Sequence, residues 1–251
     1  KSRLLAAIAE VNSNFLQLDD PILALDRCFQ LVGEAVFADR AYYFQNYENS
    51  DGDAFCSQRL EWNSGKFLPQ IDNKLLQEIP MTMIQEFGKP LTLNQRFSTI
   101  VNNLPESEFK SLLVETSVKS ILVLPIFVKD SFHGFIGFDD CQSERTWNDD
   151  EISFLKTIAA NMAIAIERAQ AETKVKLAYE ERNSTLESIR DGFFSLTRDW
   201  IVTFWNKEAE NLLGTKKQDI VGRNLWHVYQ GSIGSNSYTQ YHRAIDENIP
   251  V

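Results

Sequence analysis

The sequence is poor in the residues and runs that mark several classes of protein. Its 251 residues include three cysteines and three histidines, and Cys28, Cys56 and Cys141 form no CxxC pair. This spacing predicts neither a disulfide framework nor a metal site, and reduced thiols are typical of the cytoplasm. Residues 121–128 form one of the longest apolar runs, less than half of the roughly 20 residues that a membrane span needs. We therefore expect a cytoplasmic location and no membrane contact within this chain.

Clustered positive charge is also absent. The net charge is −10 and no run of basic residues occurs. Nucleic acids and anionic membranes both require clustered cationic side chains, so neither is expected as a partner. The chain begins at Lys1 rather than Met, which predicts that it is a piece of a longer protein and leaves open a membrane anchor outside it.

The dominant element is a long helix predicted over residues 148–189. Asn148 and Glu151 have the spacing of a capping box, and Trp147 and Ile152 occupy the positions of a hydrophobic staple. Apolar residues then recur every three or four positions, and no Gly or Pro interrupts the pattern before Gly192. The first part of the helix is therefore expected to pack in a core.

Beyond Glu167 the same segment becomes highly charged, with a thinner apolar stripe. A helix that leaves a core as a charged rod is typical of a connector between two modules. At about 1.5 Å per residue it would span roughly 60 Å. The alternative is two shorter helices broken near Thr173.

The residues before this helix alternate between helical and strand patterns. The predicted elements are helices at 1–18 and from Pro21, a hairpin at 41–47 and 54–62, short helices at 73–78 and 82–87, a short strand at 90–93, a helix after Pro105, and strands at 119–128 and 132–139. The strand at 119–128 is almost continuously apolar, which predicts that both of its faces are covered.

The residues after the helix predict a second, smaller module. A hairpin is expected from residues 192–196 and 200–205, followed by a helix that Asn206 caps and Gly214 ends. A short helix near 217–221 and a last helix at 237–247 follow. With only two strands, this module is expected to be partial.

Two families are similar to these patterns. Residues 1–170 resemble a GAF domain, through FADRAYYFQNYENSDG and through S-x-L-x-x-P-I, GFIGF and W-x-x-x-E in the stretch from Ser117 to Ala169. Residues 184–251 resemble the front half of a PAS domain, through DGFFSLTRDWIVTFWNKEAENLLG and DIVGRNLWHVY. The implied fold is α+β, with a GAF-like central antiparallel sheet that has helices on its faces, a long connecting helix and a partial PAS-like α/β module. The domains are expected at 1–170, 171–190 (a helical, coiled-coil-like linker) and 191–251.

GAF and PAS domains in series resemble the sensory half of a bacterial signalling protein. The resemblance implies a non-catalytic sensory and dimerisation region of a two-component sensor histidine kinase, which passes a signal along the long helix to an output domain absent from this chain. The alternative is a small-molecule-binding regulatory module of a cyclic-dinucleotide enzyme or another signalling protein. A purely structural spacer is the third hypothesis.

The sequence predicts no catalytic residues, because His133, His227 and His242 are scattered and no nucleophile, base and orienting group share a recognisable spacing. Among GAF domains, bilin-binding members need a Cys in the irregular middle and haem-binding members need an axial His in the pocket, but residues 63–118 contain neither Cys nor His. The cyclic-nucleotide pattern of the family is present only as fragments. No cofactor is indicated, and an unidentified small molecule is left open as a ligand.

Two sets of site residues are predicted. The candidate ligand-binding residues are the aromatic and sulfur side chains Tyr43, Phe44, Phe55, Trp62, Met83, Phe87, Phe97 and Phe109. The alternative is that these residues only form core, and strand alternation places Tyr43 and Phe44 on opposite faces. A homodimer is expected through the first helix and the long helix. Its candidate dimer and signal residues are Leu4, Ile8, Val11, Ile158, Met162, Val175, Tyr179, Leu186 and Ile189.

Overall fold

The computed structural model describes residues 2–83 and 85–250; the side chains of residues 2 and 85–87 lie outside this description. The chain divides into two compact units, Lys1–Glu172 and Thr173–Val251. The elements of the first unit are α1 (Ser2–Gln17), α2 (Pro21–Ala35), β1 (Arg40–Glu48), β2 (Ala54–Asn63), β3 (Ile79–Pro80), α3 (Gln85–Thr92), β4 (Phe97–Ile100), α4 (Glu108–Glu115), β5 (Ser120–Val128), β6 (Ser131–Asp140) and most of α5 (Asp149–Glu187).

The first unit is built on one antiparallel sheet with the strand order β3-β2-β1-β6-β5-β4. One face of the sheet packs against α1, α2 and α5 in the larger hydrophobic core. The other face carries a second core that includes residues of α3 and α4. Side chains of β5 enter both cores, which confirms the prediction from its apolar sequence.

The ends of the helices follow the local sequence signals. Asp20 accepts hydrogen bonds from the amides of the first turn of α2, where Pro21 takes the first position. At the start of α5, the Asn148 side chain accepts from the Glu151 amide at 2.9 Å, and the Glu151 carboxylate accepts from the Asn148 amide at 3.0 Å. The capping box is therefore confirmed.

The long helix α5 is a single element of 39 residues, so the alternative of a break near Thr173 is wrong. At about 1.5 Å per residue it is about 58 Å long. Its buried residues end at Ile166, whereas residues 171–182 are all exposed. None of the helices in the described parts of the chain is long and apolar enough to cross a membrane.

The second unit contains a two-stranded antiparallel hairpin and short helices. Its elements are β7 (Phe194–Leu196), β8 (Val202–Trp205), α6 (Lys207–Leu213), α7 (Lys217–Ile220), α8 (Leu225–Val228) and α9 (Asn236–Glu247). Asn206 caps α6 by accepting from the Ala209 amide at 2.8 Å, and Gly214 ends it in the left-handed conformation with a φ of 72°. Both predictions for α6 are confirmed.

One local prediction is wrong in the irregular middle of the first unit. Residues 90–93 were expected to form a strand, but Pro90 and Leu91 lie in α3. Leu91 is completely buried in the second core, so tertiary packing overrides the strand propensity of this segment. The neighbouring strand is β4, which the sequence did not predict.

Candidate functional site

A cavity of about 410 Å³ lies against the second face of the sheet, between α4 and the segment that follows β2. This volume is in the range of small-molecule pockets. Most of its wall is apolar, formed by Phe44, Leu75, Leu76, Ile79, Met83, Phe109, Leu112, Leu113, Val118, Ile121, Val123 and Phe135. Phe44 and Phe135 stack on neighbouring strands, with ring centroids 4.9 Å apart. Leu75 and Met83 are 61% and 48% exposed, so the cavity is open where they lie.

One part of the cavity wall is polar, and it is formed by Arg40, Tyr42, Gln58, Glu61 and Asp139. Strand register brings these side chains together. Arg40 pairs with Asp139 across β1 and β6, and Tyr42 pairs with Glu61 across β1 and β2. Because alternate residues of a strand share a face, Arg40, Tyr42 and Phe44 all face the cavity. We call the five polar residues the polar end of the cavity.

The Tyr42 ring lies over β6 and holds Asp139. Its hydroxyl donates a hydrogen bond to Asp139 Oδ1 at 3.0 Å. The ring passes above Gly137, where a Cβ atom would lie 2.1 Å from ring atom Cε2 of Tyr42. A side chain at residue 137 would therefore displace the tyrosine, which explains the glycine in the middle of this strand.

Arg40 and Glu61 form a loose ion pair. Arg40 Nε and Glu61 Oε1 are 4.0 Å apart, and both side chains are at least 95% buried. The other carboxylate oxygen of Glu61 accepts from the Gln70 amide at 2.6 Å. Arg40 Nε, Glu61 Oε1 and Gln58 Oε1 are buried and have no hydrogen-bond partner among the described residues. Such atoms are rare in folded proteins and require an explanation.

Burial raises the pKa values of three groups at the polar end. Desolvation raises the pKa of Asp139 to about 7, against the opposing effects of the Arg40 charge and the Tyr42 hydrogen bond. Desolvation also raises the pKa of Glu61, although the Gln70 amide partly offsets it. The pKa of the Tyr42 hydroxyl is raised by burial and by the neighbouring Asp139 carboxylate. The polar end therefore favours a state with fewer negative charges.

The sequence-predicted ligand residues are divided between several places. Phe44, Met83 and Phe109 line the cavity. Tyr43 lies in the core on the opposite face, as alternation predicts, and Trp62 packs against the same core.

Three of the predicted residues remain. Phe97 packs in the second core, 6.2 Å from Phe109 between ring centroids. Phe55 stacks on Tyr47 with centroids 5.9 Å apart. The side chain of Phe87 lies outside the described residues. Sequence reasoning missed the polar end, although charged residues inside otherwise apolar strands were a signal that could have found it.

The three cysteines are buried and free, including Cys141, which directly follows β6. Burial raises the pKa of Cys28 to about 11, and the pKa values of Cys56 and Cys141 to about 12. No cysteine or histidine is among the described residues that line the cavity. These described lining residues therefore offer no thiolate or imidazole to a ligand.

The predicted dimer and signal residues fall into two groups. Val11, Ile158 and Met162 are completely buried in the larger core, and Leu4 and Ile8 pack against it. Five predicted residues therefore pack within the first unit.

The other group lies on the later part of α5 and just beyond it. Val175 and Tyr179 are 70% and 61% exposed, and Leu186 and Ile189 are half-buried. Leu5 and Leu16 on α1 and Ile164 on α5 are also exposed, although they are not among the predicted dimer residues.

Helices α1 and α5 lie side by side. Arg168 donates to the backbone oxygens of Phe15 and Leu18 at 3.2 and 3.0 Å, and Asn161 donates to the Asn12 side chain. The two helices that carry the predicted dimer residues are therefore neighbours within the first unit.

Family models identify both parts of the chain. Residues 20–166 match the GAF domain, and residues 180–248 match the PAS fold. The GAF match covers more than half of the 251 residues, so the chain belongs to the GAF domain family. The two resemblances stated from the sequence, to a GAF domain and to a PAS domain, are therefore confirmed.

The curated relatives are signalling kinases. The chain is 38% identical over 192 residues to the methanogenesis regulatory histidine kinase FilI of Methanothrix harundinacea, across 75% of this chain and 21% of that protein. It is 28% identical over 91 residues to the circadian input-output histidine kinase CikA of Thermosynechococcus vestitus, across 35% of this chain and 12% of that protein. The chain thus spans about a fifth or less of these relatives. These findings support a sensory signalling role.

Solved structures show the same fold. The phycocyanobilin-bound GAF domain of a cyanobacterial phytochrome aligns with a TM-score of 0.55 at 18% identity, over 67% of this chain and 96% of that one. The far-red absorbing dark state of JSC1_58120g3 with bound biliverdin aligns with a TM-score of 0.52 at 19% identity, over 65% and 99%. These likenesses confirm the α+β fold.

Proposed function

We propose that this chain is the ligand-sensing, non-catalytic part of a sensor histidine kinase. In this proposal a small molecule occupies the cavity of the first unit, and α5 passes the change in packing towards an output domain. The observation that carries the proposal is the cavity of about 410 Å³, which combines an apolar wall with buried polar atoms that lack partners. Sites with this combination are typical of small-molecule binding.

The relatives add support of two kinds. Both curated relatives are named as histidine kinases, which favours a kinase output over a cyclic-dinucleotide enzyme. Several structural neighbours are named with a bound bilin. In this chain the described cavity lining contains no cysteine, so the proposed ligand is held without a covalent thioether.

The relay is supported by the continuity of α5. Its first half packs in the larger core, and the same helix continues without a break to Glu187. There the Glu187 carboxylate accepts from the Lys207 amide at 2.8 Å and pairs with the Lys217 ammonium at 2.8 Å. Asn206 donates to the backbone oxygens of Leu186 and Ile189 at 3.4 and 3.3 Å. A displacement of the end of α5 would therefore reach the β7–β8 hairpin.

The first experiment records native and denaturing mass spectra of one purified sample. We expect the native spectrum to show a mass excess that disappears on denaturation, because the ligand is held without a covalent bond. If the native mass equals that of the apo chains, binding to the cavity is tested instead by titration with aromatic probe compounds. Failure of both would reject ligand sensing by this cavity.

Two tryptophan variants of α4 locate the site. Leu112 lines the cavity, whereas Val114, two residues further along the same helix, is 57% exposed and is not among the lining residues. Leu112→Trp fills part of the cavity and is expected to abolish ligand retention. Val114→Trp is the matched control and should retain the ligand. Equal retention by both variants would place the ligand elsewhere.

Dimerisation through α5 is the second part of the proposal. Residues 171–182 are exposed on all sides, and an isolated helix of this length is marginal in water. A parallel second copy would cover Val175 and Tyr179. The double variant Val175→Glu/Tyr179→Glu should weaken dimerisation at least about tenfold in sedimentation velocity, because it would bury two unpaired charges in the interface. Lys176→Glu is the control, and a wild-type monomer at high concentration would contradict the proposal.

A further inference from the structure

The chemistry of the missing partner is indicated by the three unpartnered atoms of the polar end. Arg40 Nε is a donor, whereas Glu61 Oε1 and Gln58 Oε1 are acceptors. Arg40 and Gln58 are each 4% exposed, and the Glu61 side chain is 1% exposed. Leaving buried polar atoms unpaired is costly, so a bound group that satisfies them gains this free energy on binding.

The distance between two of these atoms fits one intervening group. Arg40 Nε and Glu61 Oε1 are 4.0 Å apart, too far for a direct hydrogen bond. A group that places an acceptor about 2.8 Å from Arg40 Nε and a donor about 2.8 Å from Glu61 Oε1 satisfies both atoms. The bound group must therefore present an acceptor to Arg40 beside a donor to Glu61.

The mixed charges of the polar end favour an uncharged head over a strongly ionic one. One guanidinium, Arg40, faces two acidic side chains, Glu61 and Asp139, and no lysine is among the described lining residues. An anionic head would meet the two carboxyl groups, and a cationic head would meet the guanidinium. An uncharged head avoids both repulsions.

We propose that the ligand is a flat, largely apolar molecule with an uncharged carboxamide-like or lactam-like head, which accepts a hydrogen bond from Arg40 and donates to Glu61 and Gln58. Its apolar body lies against Phe44, Phe109 and Phe135, which line the rest of the cavity. This assignment rests on the proposed function, because it names the chemistry of the same cavity.

Three probe compounds that share a naphthalene ring distinguish an uncharged head from an anionic head and from no head. Naphthalene-2-carboxamide presents one acceptor and two donors, naphthalene-2-carboxylate has the same shape but is anionic and only accepts, and naphthalene has no head. In calorimetric titrations of the full chain near neutral pH, we expect the carboxamide to bind about tenfold more tightly than the other two probes, as expected for hydrogen bonds to charged groups. A carboxylate that binds equally or more tightly overturns the proposal.

Substitutions at the polar end identify which side chain binds the head of the ligand. Glu61→Gln removes the negative charge and keeps the shape, so the carboxylate probe should gain about tenfold in affinity. Gln58→Met removes one acceptor while the side chain keeps a similar volume, so only the carboxamide probe should lose affinity. Unchanged binding of naphthalene would show that the cavity remains folded in this variant. Unchanged carboxamide affinity in both variants overturns the assignment.

The outcomes distinguish this inference from the proposed function. If all three probes bind equally and Leu112→Trp blocks them, the cavity binds ligands but the polar end does not select the head, and only the inference fails. If no probe binds and no compound is retained in the native mass spectrum, the proposed function fails, and the inference fails with it.

Discussion

Replacing Asp139 by asparagine should change how stability depends on pH. Burial raises the pKa of this carboxyl from 3.8 to about 7. Between these two values the folded protein holds a proton that the unfolded chain has released. By linkage, the free energy of unfolding then falls as the pH rises, and the fall levels off above the folded-state pKa.

The magnitude follows from the two pKa values. Each pH unit within the interval lowers the free energy of unfolding by about 1.4 kcal/mol. Between about pH 5.5 and about pH 8 the contribution of Asp139 amounts to roughly 2 kcal/mol. In Asp139→Asn this contribution is absent, while the amide oxygen can still accept from Tyr42. The wild type should therefore lose about 2 kcal/mol more than the variant over this range.

The assay is urea unfolding at the two pH values, read by pulsed hydrogen exchange and mass spectrometry of peptides from β1 and β6. This readout isolates the first unit. His133, whose pKa burial lowers, contributes in the opposite direction but equally in both proteins, and it cancels in the difference. Parallel pH dependences of wild type and Asp139→Asn would refute the reasoning. Tyr42→Phe provides a second test, because losing the hydrogen bond should raise the Asp139 pKa further and extend the fall to higher pH.

Two further substitutions test packing, one in each unit. Gly137→Ala should destabilise the first unit by about 1–3 kcal/mol in a thermal melt, because the new methyl group overlaps the Tyr42 ring. Gly231→Ala is the control and should be near neutral, because no atom lies within 4 Å of the added Cβ. Asn206→Ala should lower the stability of the second unit by about 2–4 kcal/mol, because this fully buried side chain donates to the end of α5 and accepts from two amides. Exposed Asn211→Ala is its control, and equal exchange protection of β8 in both variants would contradict the assignment.

Local signals in the sequence were sufficient for most of the elements. The Asn148–Glu151 capping box and the Asn206 cap are formed by residues three positions apart, so their chemistry is visible without tertiary information. The segment around Leu91 could not be assigned in this way. Its apolar residues suit either a strand or a helix, and its burial against distant strands decides between them.

The cavity required information that the sequence does not contain. Alternation placed Tyr43 and Phe44 on opposite faces but could not tell which face carries a cavity. The polar end depends on register: Arg40 and Asp139 are 99 residues apart in the chain and become neighbours only because β1 pairs with β6. A slip of one residue would turn either side chain to the opposite face.

The burial of the three cysteines has a practical consequence for following motion in α5. Cys28, Cys56 and Cys141 have pKa values raised to between about 11 and about 12, so near neutral pH they carry almost no thiolate and maleimide or nitroxide reagents should leave them unmodified. A cysteine introduced at the exposed position of Val175 would then be labelled selectively in the otherwise natural chain. In the proposed dimer, distances between spin labels on the two copies would then report a rotation of the helix when a cavity ligand is added.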